Sequence, residues 1–293
     1  MTDRHWSQRG DGRVPQLLWS VTPGGPLVDL RLARETGEVL AADQSGRLFT
    51  IDRSGNLVEQ TQGPTGIRAA VWSDTGAGGI AIVGDEKLYW FNRQLRLQGW
   101  LEQPEPVLAV AIEAHGRYAA ASLVDGATVL FDATHERIRR FTTSLPLVAI
   151  EFLVDRPALV GTADHGLLCC RNFEGEPLWQ QAVLTNVGDL VATGEGSQIL
   201  LACFSHGVQC FDGTGRQLRS YHVEGTVSRV ATSFWPQHLA ATTMERQFFL
   251  ISTTGQVEYQ CALPDDVCRL ACDPLGKAVV LGFKGGEILK LGW

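Results

Sequence analysis

The side chains best suited to chemistry in this sequence are seven cysteines, at positions 169, 170, 203, 210, 261, 268 and 272. Cys169 and Cys170 are adjacent, an arrangement that can close a vicinal disulfide. Neighbouring residues of a strand point to opposite faces, so each thiol can instead fill a separate apolar interface, and this structural reading is preferred. Cys268 and Cys272 are four apart and share a face if their segment is extended. Two sulfurs do not make a zinc site, which takes four tetrahedral ligands. The cysteine count is odd and no Cys-x-x-Cys occurs. Buried free thiols in a reducing compartment account for this, and a cytoplasmic location is expected.

Carboxylates and histidines form the second set. Asp43, Asp85, Asp125 and Asp164 recur at nearly even spacing beside short apolar runs, with Glu86, Glu245 and Arg246 in the same kind of segment. Aspartate suits tight turns because it accepts backbone hydrogen bonds there. Gathered on one rim, the same carboxylates would attract a partner with a basic surface. His165 and His206 each precede a turn glycine and could face each other across neighbouring units. No carboxylate stands at ligand spacing, so neither a metal nor a cofactor is expected. The candidate partner-binding residues are therefore Asp43, Asp85, Glu86, Asp125, Asp164, His165, His206, Glu245 and Arg246. Arg137, Arg139 and Arg140 form the basic cluster, read as protection of an exposed sheet edge.

Other chemistries lack their signatures. There is no Gly-x-x-x-x-Gly-Lys-Ser/Thr loop and no Gly-x-Ser-x-Gly elbow. Lys plus Arg number 25 against 32 Asp plus Glu, a net charge of −7 that argues against nucleic-acid binding. No apolar run reaches about 18 residues and the N-terminus is polar, so no membrane insertion is expected. At 44% hydrophobic residues the chain can bury enough apolar surface to order itself.

The elements that hold these residues are written in a repeat. Asp52, Asn92, Asp132, Asn172, Asp212, Ser252 and Gly292 each close a short apolar run, at a step of 40 throughout. Gly55, Gly175, Gly215 and Gly255 stand three residues after a marker, and Gly46, Gly126, Gly166 and Gly286 six before one. Each unit therefore reads as four short strands, a to d, joined by tight turns. Units of this kind in series predict an all-β, seven-bladed β-propeller with four antiparallel strands per blade. The last marker is Gly292, which leaves the seventh unit without strand d. Val14–Trp19 supplies one, so the N-terminal strand is expected to complete the C-terminal blade. The predicted organisation is a flexible polar tail over 1–12 and a single propeller over 13–293. Deletion of residues 1–10 is expected to be tolerated, and deletion of 1–20 to lower the melting temperature.

The strand-c endings Ile51-Asp52, Phe91-Asn92, Phe131-Asp132 and Phe211-Asp212 resemble the WD-repeat pattern with its Trp replaced. Ala42-Asp43-x-x-Gly46-x-Leu48-x-x-x-Asp52-x-x-Gly55, and the trailing Trp179 of Asn172-x-x-Gly175-x-x-x-Trp179, are similar to the quinoprotein-like repeat. The resemblance covers roughly residues 14–293. It implies the propeller fold, in superfamilies that host both scaffolds and enzymes. Some quinone-dependent dehydrogenases of that kind carry a vicinal disulfide beside the cofactor, but they are larger, exported and eight-bladed. The leading expectation is a non-catalytic, cytoplasmic protein-interaction scaffold or subunit of a larger assembly, docking proteins on its loop faces. The alternative is a propeller enzyme, a quinone- or metal-assisted oxidoreductase or a lactone hydrolase, working in the central channel.

Overall fold

The computed structural model describes residues 4–293, which form seven antiparallel sheets arranged as the blades of a propeller. Blade 1 consists of strand a (Leu27–Leu32), b (Val39–Asp43), c (Arg47–Ile51) and d (Leu57–Gln62). Strand a begins at Ile67, Val107, Ala149, Val187, Val227 and Val267 in the six blades that follow. Each strand a lies against the next, and Val267–Cys272 of blade 7 against Leu27–Leu32 of blade 1, so the ring is closed. In blade 1, strand b is buried from end to end and strand c in all but its first residue, whereas strand d is almost wholly exposed. A blade covers its neighbour on both faces near the axis and leaves its outer strand to water, so the inner runs are continuously apolar.

The interfaces assign the cysteines. Cys169 packs with Ala120, Leu130 and Leu159 between blades 3 and 4, and Cys170 with Val160, Leu190 and Leu201 between blades 4 and 5. The shared face expected for Cys268 and Cys272 is corrected. Cys268 joins the interface with blade 1 and Cys272 the interface with blade 6. A β-bulge between Val267 and Arg269 inserts Cys268 as an extra residue and reverses the alternation there.

Strand c turns into strand d by one device. Asp52 accepts hydrogen bonds from the backbone N–H of Ser54 (2.8 Å) and Asn56 (2.9 Å), and Gly55 adopts φ +87°. Asn92, Asp132 and Asp212 accept the same pair of bonds at 2.9–3.0 Å. In blades 2 and 3 the left-handed position is held by Leu95 (φ +59°) and His135 (φ +67°). The strain of a side chain there is offset by burial of Leu95 and by stacking of His135 on Trp90 at 4.7 Å.

Ring closure follows the repeat. Gln16–Val21 pairs antiparallel with Ile288–Gly292 and is strand d of blade 7. Trp19 donates through Nε1 to the Arg53 carbonyl at 2.9 Å, as Trp179 does to the Gly213 carbonyl at 2.9 Å, four blades further on. Residues 4–12 depart from the free tail expected over 1–12; residues 1–3 lie outside the described residues. Arg4–Gln8 forms a 3-10 turn, and Asp11–Gly12 adds a fifth strand to blade 6, opposite Gln260 and Tyr259. Trp6 meets the ring of Phe283 edge-on, and Tyr259 donates a 2.6 Å hydrogen bond to the Ser7 carbonyl. A buried phenol and an unpaired sheet edge both gain partners this way, which polarity of composition alone does not reveal.

Candidate functional site

The residues that reach the axis are set by one recurring irregularity. Strand a carries a bulge just before Asp29, Ala69, Ala109, Asp189, Arg229 and Arg269, in six of the seven blades. Bulges re-aim side chains, and here they bring this position and the one two residues later to the channel, as the regular strand of blade 4 does without one. In order of blades the first set is Asp29, Ala69, Ala109, Ala149, Asp189, Arg229 and Arg269; the second is Arg31, Val71, Ala111, Glu151, Val191, Ala231 and Ala271. Together with Arg34 and Asp74, most of these line a central cavity of about 370 Å³.

Two layers of charge cross this cavity. In the first, Arg269 donates from Nε to Asp29 Oδ1 (2.9 Å) and from Nη1 to Asp189 Oδ1 (3.2 Å), joining blade 7 to blades 1 and 5. Arg229 spends its donors on the carbonyls of Gly188, Ser228 and Cys268 at 2.9–3.0 Å. In the second, Arg34 holds Asp74 through Nε (2.9 Å) and Nη2 (2.8 Å) and stands 3.9 Å from Glu151. The carboxylates also clasp neighbouring blades: Asp29 accepts from Ala70 N–H (3.1 Å), and Glu151 from Ala192 N–H (2.8 Å). The fourth guanidinium differs. Arg31 makes no hydrogen bond or ion pair among the described residues, and its Nε is buried without a partner.

Electrostatics follow from burial and partners. Burial alone would raise the Asp29 carboxyl, but Arg269 and Arg31 hold it below the ordinary aspartate value. Burial lowers the pKa of Arg31, and the nearby Arg269 lowers it further. For Glu151 burial dominates: Arg34, Arg31 and the Ala192 N–H oppose it only in part, and the carboxyl is pushed up to about 7. The seven cysteines are buried and free, and burial pushes Cys169 up to about 11 and Cys170 to about 12. Thiols held in that range are poor nucleophiles at neutral pH.

The residues predicted from sequence lie elsewhere, at the end of the ring formed by the b–c and d–a loops. Asp85, Asp164, His165, His206, Glu245 and Arg246 are exposed there and Glu86 is half-buried. Asp125 accepts from Arg140 Nη2 at 2.6 Å, and Arg246 donates to Asp266 at 2.7 Å. Asp43 is corrected: its carboxylate is wholly buried, bound by the N–H groups of Gly25, Ser45 and Arg47 and by the Arg47 guanidinium. It anchors its turn and offers nothing to a partner. Among the described residues no three His, Cys, Asp or Glu side chains gather as a metal site. Sequence reasoning passed over the axial set, whose signal was a charge inside an apolar inner run, as in Leu27-Val-Asp29-Leu-Arg31-Leu, Ile150-Glu151-Phe and Cys268-Arg269-Leu. Neither a protein-family model nor a curated protein matches the sequence.

Proposed function

We propose that this chain is a non-catalytic interaction module of the cytoplasm, a scaffold or a subunit of a larger assembly, that docks a protein partner on the b–c and d–a end of the ring. One observation carries the reading. Leu184 (82% exposed), Met244 (62%), Leu145 (40%) and Val124 (39%) stand on loops of that end in blades 3 to 6. Exposed apolar side chains on a stiff frame, bordered by charge, have the composition of a docking surface. The border is supplied by Arg246 with Asp266 and Lys284, and by Asp85 beside Arg68 at 3.7 Å. Asp85, Glu86, Asp125, Asp164 and Glu245 favour a partner with basic groups at the rim. The Asp/Asn-x-x-Gly turns and trailing Trp residues support a kinship with the WD-repeat and quinoprotein-like propellers.

The test is a double substitution, Leu184→Asp with Met244→Asp. A protein that co-purifies with the wild type from the native cell should be lost, with the melting temperature unchanged. Retention at equal yield would remove this surface from consideration. A second reading, an enzyme working in the channel, has Glu151 in its favour, since a carboxyl near neutrality suits general acid–base work. The absorbance spectrum and metal content of the purified protein separate the two.

A further inference from the structure

We propose that the central channel is a binding site for a small organic carboxylate, whose carboxylate group is taken by the Arg31 guanidinium and whose apolar body lies against Val71, Ala109 and Ala111. The proposal does not rest on the docking surface, which uses other residues.

A cavity of about 370 Å³ lies on the axis, within the range of small-molecule sites. Its lining is divided. Blades 2 and 3 contribute Ala69, Val71, Ala109 and Ala111, while the charged groups come from blades 1, 4, 5, 6 and 7, apart from Asp74 of blade 2. An amphiphilic ligand matches such a wall better than an inorganic ion does.

The identity of the charged end follows from what each arginine already holds. Arg269 is engaged by two aspartates, Arg34 by Asp74, and Arg229 by three carbonyls. Arg31 alone has no hydrogen-bond or ion-pair partner among the described residues, and a donor left buried and unpaired, as its Nε is, is costly unless something meets it. Its planar fork matches a carboxylate with two parallel hydrogen bonds. With Glu151 neutral, the four arginines of the channel exceed Asp29, Asp74 and Asp189 by one positive charge, which one carboxylate balances. A phosphate dianion would bring a second charge into a space that already holds Asp29, Asp74 and Asp189. Glu151 occupies the register of Arg31 across the channel in blade 4 and faces Arg34, Arg31 and Asp74. In its neutral form it repels no anion and can donate a hydrogen bond, so the site should strengthen as pH falls from 8 to 6.

The experiment is calorimetric titration of the full chain with butyrate, benzoate and inorganic phosphate at pH 6.5 and pH 8. Butyrate or benzoate should saturate one site per chain, more tightly at the lower pH, and phosphate should bind at least about 10-fold more weakly. Arg31→Ala should weaken carboxylate binding by about 10-fold or more and, by removing an unpaired buried charge, raise the melting temperature of the free protein. A structural arginine would do the opposite. Ala109→Leu, which narrows the apolar wall and leaves Arg31 intact, should also weaken binding. The idea is overturned if neither carboxylate saturates a site, if phosphate binds as tightly, if Arg31→Ala binds like the wild type, or if that variant melts lower.

Discussion

The c–d turns and the channel-facing positions of strand a recur at the same step of 40 residues, yet they treat the repeat in opposite ways. At the turns the marker residues Asp52, Asn92, Asp132 and Asp212 perform one task in four of the blades, accepting the same two backbone N–H groups. At the axis the equivalent positions hold Asp29, Ala69, Ala109, Ala149, Asp189, Arg229 and Arg269. These turns meet the same local backbone, so one solution serves all four. The axial side chains meet one another across a single shared space, where seven identical charges would repel and seven identical apolar groups would leave a featureless bore. Departure from the repeat therefore marks the part of the molecule that does something once.

The difference can be broken from either side. The largest effect is expected from removing residues 1–21, which takes away strand d of blade 7 and should prevent cooperative folding. Removing only 1–12 should leave a folded ring that melts clearly lower, because the Ser7–Tyr259 hydrogen bond, the strand at Asp11–Gly12 and Trp6 go with it. Equal melting of the 1–12 deletion and the full chain would show that this segment contributes nothing.

Within the axis, Arg269→Ala strands Asp29 and Asp189 and should cost about 3–5 kcal/mol in denaturant unfolding. A loss below about 1 kcal/mol would mean that the pair is effectively solvated.

Glu151 supplies a pH signature. Its carboxyl is pushed from the ordinary 4.5 up to about 7, so between those values the folded state holds a proton that the unfolded chain has released. Stability from this group is then full below pH 4.5 and is lost as pH rises through 7, on the order of 3 kcal/mol. Comparing melting of the wild type and Glu151→Gln from pH 5 to 8 isolates it from His135, whose titration is lowered by burial. Parallel curves would contradict the shift.

The smallest effect is at the turns. Asp132→Ala and Asp212→Ala, which remove matching sets of bonds, should each cost about 1 kcal/mol, and the two losses should agree. A clear difference would show that the turns are less interchangeable than their hydrogen bonds suggest.

Much of the architecture was legible because it is local. The spacing of Asp52 and Gly55 encodes a turn without reference to the rest of the chain. The pairing of Gln16–Val21 with Ile288–Gly292 could be read by extending the same register around the ring. Trp6 and residues 4–12 were not legible, because their partners Phe283 and Tyr259 are fixed only once blades 6 and 7 stand side by side.

What the sequence determined by itself was the number of blades, the identity of their strands and the manner of closure, since periodicity and turn chemistry act over a few residues. Only the tertiary structure decided the site. Asp29, Arg31, Glu151, Asp189 and Arg269 are up to 240 residues apart, and each alone is an ordinary polar residue in an apolar strand. They become a site because six bulges and the regular strand of blade 4 bring them to one axis, where burial strengthens their interactions and Arg31 is left without a hydrogen-bond partner among the described residues.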